Sequence, residues 1–313
     1  MIITVTLNPA MDKTMVIDGI ELGEVNRADS VRNDIGGKGI NVSKVLRSLG
    51  TDTLATGFLG GNIEDQFRKE LKNMGILDQF ISIQGNTRTN IKLVDRKNET
   101  NTDINDPGPV ISSEELETFI SFYDETVEKG DIVVLAGGLP PNIPQNLYGR
   151  LTRMAKEKEA LVVIDAEGES LHHALLELPY MIKPNEKELA DYLGKEALTE
   201  EEIIHSAQYL VEKGIRKVLV SRGEKGSIFI TELSTLKGKG LEVQVKSTVG
   251  AGDSMVAALV FAENEKLSDF ETLALAQATG AAAVATEGTK ACTREEVEKH
   301  LAAAREKIEE VKK

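Results

Sequence analysis

A chain of 313 residues, 41% hydrophobic and 28% charged, is long enough to bury a full core and too apolar to stay disordered. Its net charge of −14 argues against nonspecific binding to nucleic acid, yet allows a small anionic substrate wherever basic residues gather locally. The single cysteine, Cys292, excludes intramolecular disulfides and a cysteine-based zinc site, and no apolar run reaches the roughly 20 residues of a membrane span.

The N-terminus runs directly into a strand pattern, Ile2–Leu7, with no leader-like segment, so a cytoplasmic protein with no membrane partner is expected. Asp12 to Ile35 breaks into short alternating pieces such as Thr14-Met15-Val16-Ile17-Asp18. Helix 40–49, strand 53–58 and helix 64–74 follow. Thr87 to Asp106 alternates again, with Asp95-Arg96-Lys97-Asn98 able to close a hairpin onto Thr100–Ile104. Both alternating regions are expected to form antiparallel strands outside the main sheet, a candidate lid. Its exposed face could pair with a second copy, because small lone sheets are marginal.

Helix 113–128, strand 132–136, helix 145–157, strand 161–165, helix 199–212 and strand 217–221 continue the alternation, with Ser113 and Thr199 as expected N-caps. The last third is helical: 255–264, 268–286 and 293–312, where the alanine-rich stretch Ala274–Ala285 predicts close helix packing. Short apolar strands between helices are the pattern of an α/β fold with a mostly parallel sheet covered on both faces. No repeat or linker divides the chain. The four histidines, His172, His173, His205 and His300, have no zinc-like spacing and read as surface or helix-end residues.

Four segments carry chemistry. Thr248-Val249-Gly250-Ala251-Gly252-Asp253 opens the apolar run Met255–Val260, so free N–H groups and a carboxylate meet at a helix mouth. That arrangement suits an anion with a base beside it, and equally a plain helix cap. Gly36-Gly37-Lys38-Gly39-Ile40-Asn41 suits a phosphate or sugar, or a glycine-rich turn; it is not a Walker loop, since Gly39 follows the lysine. Asn185 and Glu188 stand three apart, able to hold hydrated Mg²⁺ or to form a capping box. Ser221-Arg222-Gly223-Glu224-Lys225-Gly226 follows a strand, fitting a nucleotide turn or a simple hairpin. Asp12, at the end of the first strand, could bind sugar hydroxyls, and Arg88 and Lys92 in the lid region could meet a phosphate.

In this order, with Thr6–Lys13, Thr102–Pro109, Gly138-Leu139-Pro140-Pro141 and Ile182–Glu188, these motifs resemble the PfkB carbohydrate kinases of the ribokinase-like superfamily over essentially the whole chain. The resemblance implies a three-layer α/β/α sandwich forming one kinase domain, residues 1–313, with a β-sheet lid from about 12–35 and 87–106 that often pairs in dimers. It implies Mg²⁺ with ATP as phosphoryl donor and a phosphosugar acceptor. Fructose 1-phosphate, phosphorylated at C6, is the first expectation; tagatose 6-phosphate or fructose 6-phosphate is the nearest alternative, and a noncatalytic sugar-phosphate sensor the alternative of another class.

By the same resemblance Asp253 is the catalytic base and Gly250, Ala251 and Gly252 its anion hole. Asp12, Gly37, Lys38, Asn41, Arg88 and Asn90 line the sugar-phosphate pocket. Lys183, Asn185, Ser221, Gly223 and Gly226 serve the nucleotide, and Asn185 with Glu188 positions magnesium, through water. Two departures stand out. Gly138 occupies a position usually held by serine, and Arg222, in place of a usual leucine, is expected to stack on the nucleotide base.

Overall fold

The computed structural model describes residues 1–286 and 290–311. Its first half runs β1 (Ile2–Thr6), β2 (Ala10–Ile17), β3 (Ser30–Gly36), α1 (Lys38–Ser48), β4 (Leu54–Gly60), α2 (Glu64–Asn73), β5 (Leu77–Asp78), β6 (Ile81–Ile83), β7 (Arg88–Asp95), β8 (Thr100–Ile104), α3 (Ser113–Thr126) and β9 (Ile132–Ala136). The second half runs α4 (Leu147–Glu157), β10 (Leu161–Asp165), α5 (Gly168–Leu176), β11 (Met181–Ile182), α6 (Glu186–Tyr192), α7 (Glu200–Glu212), β12 (Lys217–Ser221), β13 (Ser227–Thr231), β14 (Thr235–Gly238), α8 (Ala251–Asn264), α9 (Asp269–Val284), α10 (Arg294–Glu306) and β15 (Ile308–Glu310).

The main sheet has the order β15-β14-β13-β12-β11-β10-β9-β1-β4-β5, with β6 also on β4. From β12 to β5 neighbouring strands are parallel. Alternate side chains of each strand enter opposite layers. Ile3 and Val5 of β1 pack with Val133, Leu135, Ile164 and Val218 beneath α3–α7. Ile2, Val134, Val163 and Leu219 pack on the other face beneath α1 and α8–α10. Apolar strands buried on both sides therefore generate the three-layer sandwich that the sequence pattern predicts. Close packing of the alanine-rich helix is also present: a Cβ added at Gly280 of α9 would meet Met255 Cγ of α8 at 3.1 Å. Among the described residues no helix is long and apolar enough to cross a membrane.

A second sheet of four strands, β3-β2-β7-β8, is built from the two segments expected to form the lid. The expected β7–β8 hairpin is present, Asp95 facing Thr100. Its turn is organised by the buried Asp95 carboxylate, which accepts from the N–H groups of Ile20, Gly19 and Asn98 and from the Asn98 side chain at 2.8–3.1 Å. These donors, Ile20 foremost, hold Asp95 at about 2. The lid departs from expectation in one pairing. β2 and β7 are parallel, Asp12 beside Asn90, not antiparallel. Both strands leave the same edge of the main sheet, β2 after β1 and β7 after β6, so they run in one direction. The lid is closely attached: three residues separate β1 from β2, and Gly37 alone separates β3 from α1.

Two further differences are local. Ser112, not Ser113, caps α3, in a capping box with Glu115. The last helix stops at Glu306, and Ile308–Glu310 instead pairs antiparallel with β14. The open edge of β14 offers unpaired backbone groups, and satisfying them outweighs the helical propensity of a Lys/Glu-rich end. Lys312, the expected helix end, lies outside the described residues.

Candidate active site

The C-terminal ends of parallel strands β1, β9, β10, β11 and β12 share one edge of the sheet, where α/β folds bind ligands. Each brings part of the site. Asp165 ends β10, Lys183 follows β11, and Ser221 ends β12. Asn185 forms a parallel bridge with Ser221, and Ser221 N–H donates to Pro184 O at 3.0 Å, so two segments 36 residues apart in sequence become neighbours.

Helix α8 points its N-terminus at this edge. Gly250 is the N-cap in a left-handed conformation, φ 82°, which a residue with a side chain rarely adopts. The first intrahelical bond is Ser254 N–H to Gly250 O at 2.9 Å, so the N–H groups of Ala251, Gly252 and Asp253 precede the helical ladder. Gly252 lets Lys183 come close: a Cβ there would lie 3.2 Å from Lys183 Nζ. Asp253 sits in the first turn but does not cap the helix. Its Oδ2 accepts from Asn41 Nδ2 at 2.8 Å, and the residue is buried, 7% exposed. Burial, and then the nearby Asp165 carboxylate, push Asp253 up to about 6.

Asp165 is the hub of two lysines. Its Oδ1 lies 3.3 Å from Lys38 Nζ and 3.5 Å from Lys183 Nζ, while its Oδ2 is buried with no hydrogen-bond partner among the described residues. Burial alone would raise this carboxyl, but the Lys183 and Lys38 ammoniums outweigh it and hold Asp165 below its ordinary value. In return Asp165 raises Lys38. Lys38 is thus held as a cation, with the Lys183 side chain on the same carboxylate, an arrangement suited to binding polyanionic phosphate.

The lid supplies the other wall. Asn90 Nδ2 donates to Asp12 Oδ1 at 3.1 Å, and Lys92 Nζ lies 3.3 Å from Asp12 Oδ2. Arg88 donates to Asn8 O through Nε and Nη2 at 3.2 and 3.0 Å, and to Asp106 O through Nη1 at 2.9 Å. Arg88 therefore also clamps the start of the lid to the loop before α3. Gly37, at φ 125°, packs closely on this edge, where a Cβ would meet Thr6 Cγ2 at 2.5 Å, whereas Gly138 has open space around it.

The alternatives at Asn185–Glu188 are resolved in part. Asn185 Oδ1 accepts from Glu188 N–H and Glu188 Oε2 accepts from Asn185 N–H, both at 2.8 Å: a reciprocal capping box on α6. Burial raises the Glu188 carboxyl. The turn after β12 is both a hairpin into β13 and a short 3₁₀ turn, Gly223–Lys225, closed by Arg222 N–H to Gly226 O at 2.9 Å. Arg222 does not present a free face to a base. Its guanidinium is held by Glu186 at 2.9 Å and Glu200 at 2.7 Å, with the side chain 7% exposed.

The structure brings the expected residues together in separate groups: Asn41 with Asp253, Lys38 and Lys183 around Asp165, Asp12 with Asn90 and Lys92, and Asn185 beside Ser221. Sequence reasoning gave no role to Asp165 or Lys44. An aspartate closing the apolar strand Leu161–Ile164 was the available signal for the first; a lysine inside the buried stripe of α1 was the signal for the second.

Residues 5–296 match the pfkB family carbohydrate kinases. A 1-phosphofructokinase of Haemophilus influenzae is 37% identical over 284 residues, 90% of each chain. Phosphofructokinase-2 of Escherichia coli, solved in complex with substrates and products, superposes with a TM-score of 0.92 at 27% identity, over 97% of this chain and 99% of that one. A ribokinase of Thermotoga maritima, 23% identical, shares the fold with a TM-score of 0.77 over 96% of this chain and 99% of its own. The match spans nearly the whole chain, and the chain belongs to the pfkB family of carbohydrate kinases.

Proposed function

We propose that the protein is a 1-phosphofructokinase. Asp253 takes the proton of the C6 hydroxyl of fructose 1-phosphate as that oxygen attacks the γ-phosphorus of ATP; the new O–P bond forms, the bond to the bridging oxygen breaks, and ADP leaves. The observation that carries this reading is the buried Asp253 at the mouth of α8, raised to about 6 and held by Asn41 from the glycine–lysine loop. A base with a pKa near the working pH combines the right protonation state with the driving force to accept a proton. The N–H groups from Gly250 to Asp253 stabilise charge on the moving phosphoryl group, and Lys183 and Lys38 add fixed positive charge.

Asp12, Gly37, Lys38, Asn41, Arg88 and Asn90 hold the phosphosugar between lid and α1. Lys183, Asn185, Ser221, Gly223 and Gly226 hold ATP along the ends of β11 and β12. Among the described residues no group of three or more His, Cys, Asp or Glu side chains is placed to cage a metal. One carboxylate, Glu188, beside the amide of Asn185 fits Mg²⁺ that arrives on ATP and keeps most of its water. That ion supplies neutralisation of phosphate charge when bound.

Steady-state kinetics on fructose 1-phosphate, tagatose 6-phosphate and fructose 6-phosphate, with the position of the new phosphate determined by NMR, test the reaction. The highest kcat/KM is expected on fructose 1-phosphate, with product phosphorylated at C6. Equal or higher kcat/KM on tagatose 6-phosphate would overturn the substrate choice, and phosphosugar binding without ATP turnover would make the protein a sensor.

The lid supports a homodimer. Leu22, Val25, Val31 and Ile104 all lie in it and are 94, 79, 52 and 54% exposed, a concentration of apolar surface that marks an interaction face. Sedimentation velocity at micromolar concentration is expected to show a dimer, and V31K/I104K a monomer; a monomeric wild type would refute the pairing.

A further inference from the structure

Lys44 stands outside every motif, yet it is buried on α1, 7% exposed. Its ammonium donates to Ile35 O, at the end of lid strand β3, and to Asn41 Oδ1 at 3.4 Å, one helical turn earlier. Asn41 in turn donates through Nδ2 to Asp253 Oδ2 at 2.8 Å. An ammonium has donors only, so the amide oxygen of Asn41 has to face Lys44 and its NH₂ has to face Asp253. The reverse orientation would set an amide oxygen against a carboxylate and an NH₂ against an ammonium.

From this chain of contacts we infer that Lys44 is a positioning residue: it fixes the orientation of the Asn41 amide toward the base and ties that orientation to the end of the lid strand. The inference rests on Asp253 being the base. Lys44 makes no hydrogen bond to Asp253 itself; it orients the base through Asn41, and its charge also acts on the Asp253 carboxylate at longer range. Because Ile35 O is its second acceptor, a displacement of β3 relative to α1 alters the geometry at Asn41.

The charged groups around this relay are defined. Asp34 of β3, Asp12 of β2, Asp253 of α8 and Lys92 of β7 act electrostatically on Lys44, while Asp165, Lys38 and Lys183 act on Asp253. Burial pushes Lys44 down to about 8, with these acids opposing, so it is charged where Asp253 titrates. Losing the Lys44 charge and an oriented Asn41 donor both disfavour the Asp253 carboxylate, and so shift its titration upward.

The test is a double-mutant cycle of K44M and N41A, read as kcat and as the acid limb of the kcat/KM profile. K44M is expected to lower kcat by roughly 10- to 100-fold, the scale of a misplaced catalytic geometry. It should move the acid limb to higher pH, and add little to the loss of kcat in the N41A background. K44R, which restores the donors, should recover most of the kcat. Unchanged kcat and acid limb in K44M, or losses that simply multiply in the double variant, would overturn the relay. Thermal melts identify any variant that fails to fold, and K44Q then serves, since its single amide NH₂ carries no charge and its stem is shorter. Failure of the base assignment gives a different result: D253N would keep its turnover whatever the cycle shows.

Discussion

Replacing Asp253 with asparagine should cut kcat by roughly 10²–10⁴-fold, the range for loss of a general base, while making the folded protein more stable at neutral pH. The two effects have one origin. Asp253 is buried, and burial together with the Asp165 charge raises its carboxyl to about 6. A carboxyl whose folded pKa exceeds its unfolded value near 4 binds its proton more tightly in the folded state. Its contribution to stability is therefore present below about pH 4, declines as pH rises to about 6, and remains a constant penalty above that. The penalty is on the order of 2–3 kcal/mol. The D253N variant keeps the shape and removes the charge, so its Tm should exceed that of the wild type by a few degrees at pH 7.5 and match it near pH 4. The wild-type kcat/KM should rise with pH through about 6. Near-full turnover in correctly folded D253N would remove Asp253 from the mechanism; a lower Tm at pH 7.5 would show that the ionised carboxylate is favourably solvated within the site.

The G57A variant is expected to lose much or all of its folded population. Gly57 lies in β4 at φ 142°, directly opposite Thr6 of β1, and a Cβ there would stand 1.8 Å from Thr6 O. A backbone carbonyl in a sheet has nowhere to move, so the two strands have to part. The cost should exceed about 4 kcal/mol, the range of severe core lesions. Thr6 leads into the Leu7–Pro9 link and so into the lid, so surviving protein should also show a raised KM for the phosphosugar. Gly130 provides the control. It too has positive φ, 82°, but open space around it, so G130A should cost only about 1 kcal/mol of backbone strain. Urea denaturation of both variants compares them; similar midpoints would refute the steric argument.

What could be read in the sequence follows the range of the interactions involved. Alternating apolar strands and helices, the capping residue Thr199, and the glycines before Asp253 are local patterns, and local physics produces each of them. Asn185 and Glu188 are equally local, which is why the capping box between them could be foreseen. Contacts between distant segments were hidden. Asn41 reaches Asp253 across 212 residues, and Lys38 reaches Asp165 across 127. Alternation identified the lid strands but carries no direction, so the parallel β2–β7 pair could not be anticipated. The Lys/Glu-rich end looked helical because its own composition favours a helix; the open edge of β14 that captures Ile308–Glu310 lies about 70 residues earlier. Arg222 beside a glycine-rich turn suggested a free cation, whereas Glu186 and Glu200 approach it from helices whose placement depends on the whole sheet.

The short attachments of the lid have an energetic consequence. With three residues before β2 and one after β3, the hairpin they flank has few open conformations to lose. A flap on long linkers would surrender considerable chain entropy on closing over a sugar, and part of the intrinsic affinity would be consumed in ordering it. Here that loss is small. For the reaction proposed above, more of the binding energy from the non-reacting part of the phosphosugar would stay available for the transition state.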